Sequence, residues 1–521
     1  MSAEQAVLVE GVEKAPVQPP PTTPPINRKP RLKPVDRQQV RLQVIDPQRL
    51  VEEDHSVRAI WDLLGRLDLS PFCEGIKAVE GKPGRDRSDP QVLIALWLYA
   101  LSRGVREARA LDQWAQYEPG CQWLLGLGRI NYHTLADFVT QHAAALDELF
   151  VQLLQVLMSE GLADLERVAH DGTKIRAAAS RGSFKREQRL AECRKLAEEH
   201  LAALKQQPEA KLSAARRQAR QRAARERAER LRRAEEELKR QAEQKAAAEN
   251  LRASVSDPEA RLMRQGDGAF APSYNAQVST DARQGVIVAY EVSQAQEDSQ
   301  ELQPALERIE ENTGRLPDQI LVDGNYTTRR NIVQTADQPT ELIGSLGEDR
   351  SQNKLQRHGV SPEFMPEHFI FDAAQNCFTC PAGKPLPYKS SKRLVGATEK
   401  HYRAKPSDCR ACQFASQCCP KMVQGGRGRL LIKTDEDPKV AEFRRKMGQP
   451  QYQEIYRRRA AVAEFSTACL KEKKGLRRFL RRGLAKVRAE VAWACLSCNV
   501  SIWIRLQWKI TLQAATEDRC A

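Results

Sequence analysis

The chain has 521 residues, 41% of them hydrophobic and 29% charged, enough for roughly two to four domains and a sizeable core. A formal charge of +15 favours a polyanionic partner, since a basic surface concentrates beside phosphates; charge alone leaves a basic protein with no nucleic-acid partner equally open. The thirteen cysteines, an odd number behind an N-terminus with no basic, apolar leader pattern, point to a reduced cytoplasm rather than a disulfide framework.

Residues 1–44 read as a disordered, proline-rich tail, with Pro19, Pro20, Pro21, Pro24 and Pro25 closely spaced among polar side chains. From 45 to 160 the pattern is helical. In DPQVLIALWLYALSRG, Asp89 is a candidate N-cap, Pro90 takes the first helical position, and apolar residues cover most of the surface. Such a helix belongs at the centre of a bundle. The short helices around it suit a helix-turn-helix-like DNA-binding module or a plain helical scaffold.

A mixed α/β region follows over 161–346. Asp171 stands just past a short β-type run, RVA, and Asp323 just past QILV. Between them, 184–250 is built almost wholly of Ala, Arg, Lys, Glu, Gln and Leu. That composition predicts two long helices, folded back or splayed at Pro208, with a thin stripe including Leu190, Ala197, Leu201, Leu231 and Leu238. YNAQVSTDA and GVIVAYEVSQ predict a hairpin, ELQPALERIEEN a helix, and TELIGSL a further strand. Pattern alone supports α/β or α+β.

Residues 347–440 form a cysteine-rich insert. Cys377 and Cys380 make one CxxC and Cys409 and Cys412 a second, with Cys418 close behind as an alternate ligand. Paired thiolates arriving from tight turns suit tetrahedral zinc, so a structural Zn²⁺ site is expected. Reduced cysteines in a loop-rich region are the plainer alternative. Residues 441–505 read as helical and 506–521 as a tail. Between Arg457 and Arg488 there are twelve basic residues and two acids, Glu464 and Glu472. The run 491–504 is apolar but only fourteen residues long and carries Asn499. It is too short to span a membrane and reads as a buried helix in which Cys495 and Cys498 are free thiols.

The segments DGTKIRAAAS, YNAQ, VDGNY and the basic stretch around Glu464 together resemble the DDE transposases of bacterial insertion sequences, in a branch with a helical N-terminal domain and a cysteine-rich insert. Tyr456, Arg459, Glu464 and Lys471 resemble the family's tyrosine-arginine-glutamate-lysine signature, with the Arg459-to-Glu464 step one residue longer. The resemblance implies a ribonuclease-H-like catalytic core. It also implies two Mg²⁺ (or Mn²⁺) ions held by Asp171, Asp323 and Glu464, because three clustered carboxylates need cations between them.

Two such ions about 3.5–4 Å apart activate the attacking oxygen and stabilise the leaving one. Lys471, Lys474, Arg477, Arg478 and Arg481 would then contact DNA phosphates. The implied partners are double-stranded DNA, as element ends and target, and further copies of the chain on that DNA. The implied location is the bacterial cytoplasm, associated with the nucleoid. The alternatives are a DNA-binding protein that holds element ends without cutting, and a metal-dependent nuclease that cuts without joining.

Overall fold

The computed structural model describes residues 40, 44–76, 78–79, 81, 86–206, 213–244, 251–346, 355, 358–420 and 426–511. Nearly all of the proline-rich tail, the bend expected at Pro208 and residues 512–521 lie outside them. Residues 47–521 form one compact unit.

The first six helices are α1 (Ser56–Leu64), α2 (Pro90–Ser102), α3 (Ala108–Trp114), α4 (Pro119–Leu125), α5 (Tyr132–Gln141) and α6 (Ala143–Ser159). Asp89 caps α2 as expected, its carboxylate accepting from Gln91 N at 2.7 Å, and every residue from Leu93 to Leu101 is buried. These helices share one hydrophobic core with the sheet and with the late helix described below.

Strand β1 (Arg167–Arg176) lies at the centre of the main sheet. After it come β2 (Phe184–Lys185), α7 (Glu187–Gln206), α8 (Ala214–Gln244) and β3 (Ala253–Ser254). β2 pairs with β3, Phe184 opposite Ser254, so the chain leaves for the helical insertion and returns at one point. Leu190, Ala197, Leu231, Ala234 and Leu238 form a small core between the two long helices, and Arg194 bridges them to Glu235 at 2.9 Å.

The sheet continues through β4 (Arg261–Arg264), β5 (Phe270–Asp281), β6 (Ile287–Ser293), α9 (Leu302–Thr313), β7 (Gln319–Val322), α10 (Arg329–Thr335) and β8 (Glu341–Gly344). β5 runs antiparallel to β1 and to β6, while β7 is parallel to both β1 and β8. Three antiparallel strands, a helix, a strand parallel to the first, a helix and a last parallel strand make the fold ribonuclease-H-like. β4 is an addition, sharing the outer edge of β5 with β6.

The cysteine-rich insert is a second sheet rather than loops. It comprises β9 (Ile370–Asp372), β10 (Cys377–Thr379), β11 (Pro385–Leu394), β12 (Ala397–Arg403), the short helices α11 (Pro406–Arg410) and α12 (Ala415–Cys418), and β13 (Leu430–Glu436). Its strands are all antiparallel, around a core of Phe369, Leu386, Tyr402, Ala404 and Leu431.

The chain closes with α13 (Pro438–Met447), α14 (Pro450–Ala468) and α15 (Leu484–Trp503). α15 is buried along most of its length, and Asn499 is satisfied there. It donates to Ile287 O at 2.8 Å and accepts from Ile287 N at 2.9 Å, pinning the helix to β6. No helix among the described residues is long and apolar enough to cross a membrane. Cys495 is free and buried as expected, but Cys498 is disulfide-bonded to Cys469.

The stretch 474–483, expected as part of a basic helix, is not helical. α14 runs into a π-helical turn, Cys469–Lys473, and the chain then breaks at Gly475, whose φ of +67° suits a residue without Cβ.

Candidate active site

β1 is longer than RVA suggested because β5 pairs with it along its whole length, Val168 opposite Asp281 through Arg176 opposite Ser273. Asp171 therefore sits within a strand, opposite Val278. β7 pairs with β1 only as far as Ala169 opposite Leu321, and then ends at Val322. The two strands part there, leaving Asp171 on one side of the gap and Asp323 on the other.

Side chains alternate across a strand. Ala169 faces α14, packing with Leu321, Ile343 and Ala463, so Asp171, two residues on, faces the same way. Arg459 reaches it from α14, with Nη1 4.0 Å from Asp171 Oδ2. That Nη1 is buried without a hydrogen-bond partner. Tyr456, one turn earlier, packs beside the Arg459 guanidinium and hydrogen-bonds Ser345 Oγ at 3.2 Å. Burial lifts the Asp171 carboxyl to about 6; Arg459 opposes the rise, while Asp323 and Asp298 add to it.

On the opposite face, under Asp171, lies a polar layer. His170 is buried, with Nδ1 2.9 Å from Ser279 Oγ and Nε2 2.9 Å from Gln277 Oε1. Gln277 also accepts from the Tyr326 hydroxyl at 2.5 Å and donates to Asp298 at 3.0 Å, and Asn275 donates to Asp298 at 2.6 Å. Burial holds the His170 imidazole down at about 4, so it is neutral and acts as a hydrogen-bonding spacer. Gly172 is in contact with this layer. A Cβ there would meet Gln277 Nε2 at 2.5 Å, Asp298 Oδ1 at 2.6 Å and the Tyr326 hydroxyl at 2.8 Å. YNAQ and VDGNY thus supply the support for Asp171.

The structure does not bring Glu464 into this group. It is exposed on α14, and the charges acting most strongly on Asp171 are Arg459, Asp323 and Asp298. Residues five apart on an α-helix point about 140° away from each other, so with Arg459 facing the sheet Glu464 faces out. Among the described residues no three acid, thiol or imidazole side chains are placed to hold a metal ion as they stand. Asp298, in the turn before α9, and Arg459 are the site residues missing from the expected set. Asp298 lies in no motif; Arg459 stands in the signature, which assigns it no role at the metal ions.

A cleft of about 800 Å³ opens next to the polar layer, lined by Lys174, Asp298, Asn325, Arg329 and, from the insert side, Glu436 and Arg444; Asp171 and Asp323 do not line it. The basic segment is tied to the end of β1: Phe479 N donates to Arg176 O at 2.8 Å, and Arg482 Nε to Ala178 O at 3.0 Å. Arg477 and Arg478 are exposed there, with Arg477 paired to Glu472. Lys471 is half-buried, and burial lowers its ammonium from the usual lysine range.

Lys474 and Arg481 point inward instead. Lys474 Nζ hydrogen-bonds Ser501 Oγ at 3.1 Å, and burial brings its ammonium down to about 8. Arg481 lies 3.7 Å from the buried Glu490, which also accepts from Arg106 at 3.0 Å. Of the five expected cysteines, Cys380, Cys409, Cys412 and Cys418 line one cavity. Cys377 lies apart on β10, its thiol donating to Phe378 O.

Comparison of the sequence with curated proteins gives no match. Among solved structures, the chain is matched to a piggyBac transposase in a cryo-EM synaptic complex with hairpin DNA. Identity is 8%, the TM-score 0.30, and coverage 90% of this chain and 77% of that one, a level at which the two folds are not equated. Residues 379–503, from the turn of the cysteine insert through the basic segment and α15, match a family model described as a transposase DDE domain, and this match supports a DDE transposase.

Proposed function

We propose that the chain is an insertion-sequence-type DNA transposase that binds its element's terminal repeats, cleaves at the ends and joins the freed 3′-hydroxyl to target DNA. The observation that carries this is the apposition of Asp171 and Asp323 across the gap between β1 and β7, with Arg459 Nη1, which makes no hydrogen bond, beside Asp171.

The Asp323 charge adds to the rise at Asp171, and two neighbouring carboxylates fit hard, oxygen-seeking cations, so Asp171 and Asp323 would hold Mg²⁺ or Mn²⁺. When bound, such ions supply Lewis-acid stabilisation of the attacking and leaving oxygens. Arg459 offsets the carboxylate charge in the free protein and offers an unused donor to a phosphate oxygen. The Gln277–Asp298–Tyr326 layer fixes the strand beneath. The cleft beside Lys174 and Arg329 takes the DNA backbone, and the 56–159 helices read the element ends. Assembly on two ends requires at least two copies.

A second reading, an end-binding protein without cleavage, draws on the outward placement of Glu464, the third acid of the resemblance. The deciding experiment is Mg²⁺-dependent nicking and strand joining on a duplex carrying the element's end, with Asp171→Asn as control. Nicking and joining by the wild type and neither by the variant support the transposase. Binding without nicking supports the second reading, and nicking without joining makes the chain a nuclease.

A further inference from the structure

We propose that Cys380, Cys409, Cys412 and Cys418 bind one structural zinc ion in the cavity at the base of the second sheet. This goes beyond the transposase reading and does not depend on it.

All four residues line a cavity of about 30 Å³. Each enters from a local turn. Cys380 follows β10 in a tight turn in which Gly383 N donates to Cys380 O at 2.8 Å, and Lys384 N donates to the Cys380 thiol at 3.3 Å. Cys409 lies in the last turn of α11 and receives Arg429 N on its sulfur at 3.4 Å. Backbone amides aimed at sulfur orient the ligand before metal arrives. Cys412 follows Cys409 through a turn closed by Cys412 N to Cys409 O at 3.4 Å, and Cys418 sits at the end of α12.

Cys419 also borders the cavity. Its thiol lies beside those of Cys418 and Cys409, so Cys419 is the alternate to Cys418; Cys418 is assigned because Arg429, which lines the same cavity, donates to its carbonyl at 2.9 Å.

The second, independent observation is Arg429. It is 5% exposed and lines the same cavity. Nη1 donates to Cys418 O at 2.9 Å and Nη2 to Phe364 O at 2.9 Å, while Nε is buried without a partner. No carboxylate among the described residues forms an ion pair with this guanidinium. A buried cation without an ion-pair partner is costly; Asp408 borders the cavity but makes no ion pair with this guanidinium. Four thiolates around Zn²⁺ carry a net charge of −2, the charge that Arg429 lacks. Soft sulfur ligands in a closed tetrahedral set select zinc over magnesium.

The thiols are gathered but not closed on a common point as they stand. Binding would rotate their χ1 angles and release the thiol protons. The ion would clamp the sheet carrying β12 and β13. Glu436, at the end of β13, holds Arg329 of α10 at 3.2 Å and Arg444 of α13 at 2.7 Å, so zinc would also steady one wall of the cleft.

The test is metal content of the full chain, purified reduced and without chelator. The expected result is close to one zinc per chain in the wild type, in Cys377→Ser and Cys419→Ser, and in Asp171→Ala. Cys409→Ser and Cys418→Ser should fall to a small fraction of that. Should those variants fail to fold, Co²⁺ titration of the wild type decides: thiolate-to-cobalt charge-transfer bands saturating at one equivalent support the site. Absence of those bands, zinc-free wild-type protein, or zinc lost with Cys377→Ser and kept with Cys409→Ser would each overturn it. Loss of zinc in Asp171→Ala would place the ion at the acids instead.

Discussion

Arg459 stands 4.0 Å from Asp171, and Glu464, five residues further along the same helix, faces solvent. One side of α14 is taken up by Tyr452, Ile455, Tyr456, Arg459 and Ala463, at helical spacing against β1, β7 and β8. The residue one turn after Arg459 is Ala463, 1% exposed and packed on the sheet. The extra residue between arginine and glutamate thus turns the glutamate away from the face that the arginine occupies.

This offset sets the first prediction. Asp171→Asn and Asp323→Asn should reduce Mg²⁺-dependent nicking to background while leaving end-binding intact. Arg459→Met should slow it by about 10²-fold, the scale for one preorganised donor at developing charge. Glu464→Gln tests the third place: nicking at the wild-type rate would leave the outward acid out of the reaction, and loss of nicking would mean that α14 re-registers when DNA binds. Asp298→Asn should lower nicking indirectly, by unmaking the layer beneath Asp171.

Proton competition at Asp171 gives the second prediction. Its carboxyl is lifted to about 6, mainly by burial, above the ordinary value near 3.9. A raised folded value means that the fold favours the protonated form. That contribution is fully present below about pH 4 and is lost as pH rises through about 6. Metal-free protein should therefore lose thermal stability between about pH 4 and 7, and Asp171→Asn should flatten that part of the profile. Mg²⁺ competes with the same proton, so the melting-temperature gain on adding Mg²⁺ should grow over the same interval. A gain equal at pH 5 and pH 7 would remove Asp171 from the metal site.

Much of this arrangement was legible in the sequence. The succession of helices and strands along the chain, the capped α2 and the burial of the 491–504 helix follow from local pattern, since periodicity and capping act over a few residues. Contacts that close through space did not. RVA predicts a short strand, because nothing local to HDGT reveals that β5 will pair with it for nine residues in register. Lys474 and Arg481 read as surface charge because Ser501 and Glu490, which draw them inward, lie on a separate helix, α15. The CxxC containing Cys377 looked as good as its partner. Only the direction of β10 separates Cys377 from the cavity that Cys380 lines.

Gly172 supplies the third prediction. Any side chain there meets Gln277, Asp298 and Tyr326 at under 3 Å, and these three are bonded to each other or to β5. Gly172→Ala should cost about 1–3 kcal/mol, the usual range for overpacking. It should also lower nicking beyond what reduced folding explains, because the layer fixes Asp171. Denaturant unfolding alongside nicking per folded molecule is the measurement. Normal stability and normal rate together would mean that the layer yields freely and positions nothing.

The last prediction separates the basic residues that meet DNA from those that hold the fold. Arg477 and Arg478 are exposed on the segment fastened to β1, near the end of the strand that carries Asp171. If they contact phosphates, each releases condensed counterion on binding. Replacing both with alanine should weaken binding to every DNA sequence alike and reduce the slope of log K against log salt by about two. Lys474 and Arg481 carry the same charge but spend it on Ser501 and Glu490. Lys474→Ala and Arg481→Ala should leave the salt slope unchanged per folded molecule and lower the thermal midpoint instead. Arg481→Ala should do so more, because it leaves the buried Glu490 with Arg106 as its remaining cation. Binding isotherms at several salt concentrations, beside melting curves of the same preparations, distinguish the two roles. Superimposable salt dependence for the wild type and the Arg477/Arg478 double variant would mean that this face never meets DNA. A slope change in Lys474→Ala would mean that the segment opens to expose its buried lysine when DNA arrives.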